Sequence, residues 1–180
     1  MRVLETNSRL QSLIGIQREA EMSPGGEYRY SLHRWWDPRK LELAWVCLNP
    51  STADASVDDP TVRKIMGFSS RFGYGGFWLF NVFAYRATDP RQLLRPDVEP
   101  VGPENTPWQI AERCKKQGDW QVPIVAFGSI HKRLRRQAVE VMRALEIFRC
   151  LGLTKDGWPR HPLMLPYSTK VMTLGPTQWL

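Results

Sequence analysis

Four short apolar runs punctuate the chain: 43–48 (LAWVCL), 77–80 (FWLF), 122–127 (VPIVAF) and 148–153 (FRCLGL). Each is too short for a helix, and the first three are unbroken rather than alternating, which is the pattern of a strand buried on both faces; 148–153 reads as a fourth strand. Pro123 is tolerable because it falls near the start of its run. Helical periodicity fills the gaps. Asp59-Pro60-Thr61 reads as a helix start, with Asp59 as N-cap and Pro60 in the first turn. Val62, Ile65, Met66 and Ser69 then share one face, and Gly73-Tyr74-Gly75-Gly76 stops the helix. A second helix is expected from about Glu104 to Lys116. A third is expected over 129–145, with Ile130, Leu134, Val141 and Leu145 turned inward. Upstream, Leu10, Leu13, Ile14 and Gln17 predict a helix over 5–21, ended by Ser23-Pro24-Gly25-Gly26. Residues 28–36 (YRYSLHRWW) predict a strand that pairs with 43–48 as a hairpin across the turn at Asp37-Pro38. Residues 82–102 read as one long loop.

Strands joined by helix-length connections predict right-handed crossovers. The expected fold is a three-layer α/β/α single domain over 1–180, with a mainly parallel four-stranded sheet. It divides into a helical extension (1–27), a core (28–165) and a tail (166–180). In such sheets ligands bind beyond the carboxyl ends of the strands. Polar residues follow the buried runs there: Asn49, Asn81, Gly128 with Ser129, and His161 in the last loop. The fold should gather them at one edge.

Composition narrows the reading. The 180 residues are 42% hydrophobic, enough for one packed domain. No apolar run approaches a membrane span, and the N-terminal residues lack the apolar stretch of a signal peptide. A cytoplasmic monomer is expected. The net charge of +7 and pI of about 9.6 favour an anionic partner, and nucleic acid is the commonest. Cys47, Cys114 and Cys150 are far apart, and the three His have no metal-ligand spacing. Neither structural zinc nor a P-loop cofactor is expected.

Each candidate side chain admits a plain reading beside a chemical one. Asn49 in Asn-Pro-Ser either holds a water or caps a turn. Asn81 offers an acceptor and two donors to a base edge, or caps its strand. His161, stiffened by Pro159 and Pro162, either donates to a developing anion or bonds to its own loop. Lys132 and Arg133 after Gly128 suit a phosphate backbone or a solvated face, and Arg86 and Arg160 flank the expected site. Asp54 and Asp58 are the carboxylates nearest Asn49 that are free to assist a water.

In order along the chain, Cys47-Leu48-Asn49-Pro50-Ser51, Trp78-Leu79-Phe80-Asn81, Ala126-Phe127-Gly128-Ser129 and His161-Pro162-Leu163 resemble the motifs of the uracil-DNA glycosylase superfamily. The first is similar to its mismatch-specific version. The patterns LNPSTAD, DDPT, YRATDP, VGPEN and PRHPL also resemble a domain family of bacteria and phages without a settled activity, over roughly residues 28–165. The glycosylase resemblance implies that a nucleotide is flipped out of DNA. It implies that Asn49 positions a water, His161 stabilises the departing base, Asn81 reads the base edge, and Phe83 or Tyr85 stacks on it. Small Ser51, where the uracil-specific branch has Tyr, implies room for a 5-substituted pyrimidine. Ser129, Lys132, Arg133, Arg86, Arg160 and Leu163 would touch DNA, although Leu163 replaces the Ser of the family's last motif. No cofactor is implied. Two other functions fit the same motifs: a non-catalytic nucleic-acid or nucleotide-binding module, and a hydrolase of free nucleosides or nucleotides.

Overall fold

A computed structural model describes residues 15–117 and 122–175. The described chain contains strands β1 (Gln17–Met22), β2 (Arg29–Trp35) and β3 (Glu42–Cys47), helix α1 (Pro60–Arg71), strand β4 (Gly76–Asn81) and helix α2 (Pro107–Gln117). Strand β5 (Ile124–Ala126), helix α3 (Arg135–Leu145) and strands β6 (Phe148–Cys150) and β7 (Met172–Leu174) follow.

All seven strands join one sheet in the order β1-β2-β4-β3-β5-β6-β7. The sheet is therefore mixed and seven-stranded, not four-stranded. The four apolar runs supply a parallel centre, β4-β3-β5-β6, while β1, β2 and β7 add antiparallel margins. The expected hairpin between 28–36 and 43–48 is absent, because β4 inserts between those strands and pairs with both. Residues 17–21 belong to an edge strand rather than a helix, their alternating half-exposure being that of a sheet margin. The remainder of the expected N-terminal helix, 5–14, lies outside the described residues, as does the end of the tail.

The pleat sorts the core into two layers. Leu43, Trp45, Phe77, Leu79 and Ile124 face α1, where Val62, Ile65 and Phe68 cover them. Ala44, Val46, Phe80 and Val125 face the opposite side, under Ile110 and Cys114 of α2 and Ala138, Val141 and Leu145 of α3. Asp59 caps α1 as its sequence suggests, accepting from the Val62 amide at 2.8 Å, with Pro60 in the first turn. The expected third helix begins late. Residues 132–134 form a 3-10 turn, and regular helix starts at Arg135, although Ile130 and Leu134 are buried as anticipated. The loop over 82–102 contains a 3-10 turn, Pro90–Leu94. No described helix is long and apolar enough to cross a membrane.

Candidate functional site

The carboxyl ends of β3, β4 and β5 open onto a cavity of about 110 Å³ on the α1 side of the sheet. A cavity of roughly 150 Å³ holds a benzene ring, so this smaller one has room for a single small ring at most. Asn49, Asn81 and His161, from three distant parts of the chain, all line it, together with Ser51.

How His161 reaches the site follows from the loop after β6. That loop doubles back on itself: Leu153 bridges Pro159, and the Arg160 amide donates to Gly152 O at 3.0 Å. Its tip is then fastened to the end of β5 by the Gly128 amide, which donates to Pro159 O at 2.8 Å. Gly128 has φ of +75°, and a Cβ there would lie 3.1 Å from the His161 Cβ, so glycine suits both the backbone conformation and the close packing of the loop. The His161 Nδ1 accepts from the Leu163 amide at 3.3 Å. A neutral ring with Nδ1 as acceptor carries its proton on Nε2. Burial lowers the His161 pKa, and the nearby Asp59 charge partly opposes that shift.

Asn49 is held equally firmly. Its Nδ2 donates to Ala87 O at 2.7 Å and to Pro50 O at 3.0 Å. Both bonds consume the amide's donor end and leave Oδ1 to accept. Asn81 is arranged the other way round. Its Oδ1 accepts from Arg29 Nη2 at 3.1 Å, and its Nδ2 is buried without a partner. A guanidinium has no acceptor, so the oxygen must face Arg29 and the amine must face away. An unmet buried donor costs about 1–3 kcal/mol. Asn105, also buried, steadies this strand end by donating to Asn81 O at 3.0 Å and Val82 O at 3.2 Å.

Several lining residues escape a reading of the sequence alone. Arg29 is 2% exposed and lines the cavity. Strand alternation would turn it away from Leu32 and Arg34. However, Ser31 faces Glu21 while Arg29 faces Met22, so Tyr30 is an extra residue in the β1–β2 ladder. That bulge re-aims Arg29 to the α1 side, where Nη1 donates to Ala53 O at 2.7 Å. Burial pulls its pKa down to about 10, with the Asp59 charge opposing, so the group remains cationic at neutral pH. Asp59, beyond capping α1, is the carboxylate in the wall. Asp54 and Asp58 are not in it: Asp54 accepts from Ser56 and Val57 amides, and Asp58 pairs with Arg34. Phe127 is the aromatic lining residue. Cys47 also lines the cavity, but burial pushes its thiol up to about 12, which leaves no thiolate to act as nucleophile.

Two proposed stacking residues fall elsewhere. Phe83 is packed in the core on the α2–α3 side, because the chain leaves the sheet after Asn81. Tyr85 lines a neighbouring open depression of about 350 Å³ with Arg86, Thr88 and Gln92, and Ser51 borders both spaces. Arg86 is half-buried there, its Nη1 donating to Gly26 O at 3.1 Å. Ser129, Lys132, Arg133 and Arg160 are exposed around the same end of the molecule, as are Leu163 and Met164, 38% and 89% exposed. None of these six lines the cavity. A third depression, of about 370 Å³, lies at the amino end of β5 against Val122, Pro123 and Ile147 and is largely aliphatic. Among the described residues, no group of three or more His, Cys, Asp or Glu is placed to hold a metal ion.

No curated protein and no solved structure matches the chain. Residues 29–163, from the cavity's buried arginine to just past its histidine, match the family described as Protein of unknown function (DUF1643), and the chain belongs to that family.

Proposed function

We propose that the protein is a DNA glycosylase of the uracil-DNA glycosylase type, hydrolysing the N-glycosidic bond of a flipped pyrimidine to leave an abasic site. The observation that carries this reading is the convergence of Asn49, Asn81 and His161 on one ring-sized cavity. Their spent and unspent atoms fit the chemistry. Asn49 Oδ1 orients a water toward the sugar C1′. As the C1′–N1 bond breaks, its electron pair leaves with the base and positive charge develops on the sugar. The Nε2–H of a neutral His161 and the Nδ2–H of Asn81 donate to the anionic base. The water oxygen then bonds to C1′, and its proton passes toward the Asp59 carboxylate or solvent. Asp59 also faces the positive sugar, where a carboxylate stabilises charge. Phe127 offers the ring a flat apolar surface.

The cavity volume favours a pyrimidine over a purine, and Ser51 at the border with the open depression leaves an exit for a 5-substituent. Lys132, Arg133 and Arg160 are exposed and belong to no salt bridge among the described residues, which leaves them available to phosphates. Exposed Leu163 and Met164 follow His161-Pro162 and suit the space a flipped base vacates.

The test is base release. Oligonucleotides carrying uracil, thymine mismatches or 5-substituted pyrimidines are incubated with the protein and then cleaved at abasic sites by alkali. Asn49→Ala and His161→Ala should each lower release by about 10²–10³-fold, with circular dichroism unchanged. Cleavage that persists in both variants, or release confined to plain uracil, overturns the reading in its present form.

A further inference from the structure

Strand β2 buries two arginines that face α1, and they are treated differently. Arg34 is fully buried and meets a carboxylate, its Nε 2.7 Å from Asp58 Oδ1. Arg29 is almost as deeply buried, but no carboxylate lies within ion-pair distance among the described residues. Its contacts are two neutral oxygens, Ala53 O and Asn81 Oδ1. Its Nε–H has no partner at all. Asp59 acts on it only through space. A buried charge held only by neutral acceptors is costly unless something else answers it. Asn81, which also lines the cavity, has a second unmet buried donor, Nδ2.

We infer that Arg29 is a recognition residue of this cavity and that its unpaired charge selects a ring carrying a delocalised negative charge. The favoured class is the anions of keto-pyrimidines with an acidic ring N–H. An amino-pyrimidine is disfavoured because it stays neutral at neutral pH and leaves the buried charge unanswered. Arg29 also holds the Asn81 amide in one orientation. The inference deepens the base-pocket reading above and rests on it for the identity of the ring.

The test uses free bases and needs no DNA. Uracil, 5-nitrouracil (largely ionised at neutral pH) and cytosine are titrated into the full chain by calorimetry. The wild type should bind 5-nitrouracil about tenfold or more tightly than cytosine, with uracil between them. Arg29→Met should bring the three to within about threefold of one another. Should Arg29→Met fail to fold, Asp59→Asn serves instead, since Asn also caps helices well. Removing that negative charge should strengthen 5-nitrouracil binding several-fold and leave cytosine unchanged. Equal binding of 5-nitrouracil and cytosine by the wild type overturns the inference. So does an unchanged preference in a folded Arg29→Met variant or in Asp59→Asn, or no binding of any base at millimolar concentration. Base release from DNA is measured in parallel. An Arg29-dependent preference without release from any DNA sinks the glycosylase reading and spares the role of Arg29. Release without the preference does the reverse.

Discussion

Arg29 Nη2 donates to Asn81 Oδ1 at 3.1 Å, joining the first residue of β2 to the last residue of β4. The two strands are antiparallel neighbours, so the start of one and the end of the other share an edge of the sheet. The bond fixes the orientation of the Asn81 amide, turning Nδ2 away from Arg29. Asn49 has its amine bound to Ala87 O and Pro50 O. Two chemically identical side chains are thus spent at opposite ends, Asn81 at its oxygen and Asn49 at its amine.

The left-handed backbone at Gly128 and its close approach to His161 favour glycine there. Gly128→Ala places a Cβ on left-handed backbone, costing roughly 1–2 kcal/mol, and crowds the His161 Cβ. A fall in Tm of roughly 2–8 °C is expected, together with weaker base release from a displaced imidazole. A variant that melts and acts like wild type would show that the His161 loop does not depend on this contact.

The His161 pKa lies below its ordinary 6.5 because burial disfavours the charged ring. The unfolded chain then binds a proton that the folded chain refuses between the folded value and 6.5. This histidine's contribution to stability is complete above pH 6.5 and declines as pH falls through that window. Imidazole titration by NMR, assigned with His161→Asn, checks the order: His161 should take up its proton at lower pH than a model histidine. An equal or higher value contradicts the assignment of a neutral donor.

Asp59 serves both the helix and the cavity, and two substitutions separate the roles. Asp59→Ala removes the cap on the Val62 amide and should cost about 1 kcal/mol, or roughly 2–4 °C in Tm. Asp59→Asn retains a cap and should recover most of that loss. Both variants remove the charge that holds the His161 pKa up, so both should lower it further.

The pair between Arg34 and Asp58 fastens the loop that joins two lining residues, Ser51 and Asp59, since Arg34 Nη2 also donates to Asp54 O at 2.5 Å. Asp58→Ala leaves the buried guanidinium short of its carboxylate and should cost about 3 kcal/mol, the low end for a broken buried pair, because Asp58 is 13% open to solvent. Denaturant unfolding measures it. A loss under about 0.5 kcal/mol, the size of an ordinary surface change, would show that the backbone acceptors alone suffice for Arg34.

The parallel centre of the sheet was legible because burial on both faces leaves unbroken apolar runs, and Asp59-Pro60 announces α1 by local chemistry alone. The carboxyl-edge rule then brought Asn49, Asn81 and His161 together without any contact being visible in the sequence. At the sheet's margins the strand over 28–36 was legible, though not its partner, while β1 and β7 were not. β1 is built from QREAEM, whose pattern is that of half-exposed surface, and β7 has only three residues. The buried arginines were hidden for another reason. Arg in a strand reads as solvent-facing, and the oxygens that receive Arg29 belong to a loop residue and to a strand end more than twenty positions away. Tyr30, the extra residue that turns Arg29 inward, carries no signature of a bulge. Phe83 misled because apolar character near Asn81 suits a base-stacking surface and a core equally well.

The cavity's lining residues span the chain from Arg29, on an early strand, to His161, in a late loop. No short contiguous segment contains the whole wall, so an occupant bridges segments that come apart together on denaturation. Any ring that fits should therefore raise the melting temperature of the entire domain. At a hundredfold excess over its Kd the gain is about 2.7 kcal/mol, large enough for thermal-shift screening of heterocycles to find the natural occupant before any reaction is known.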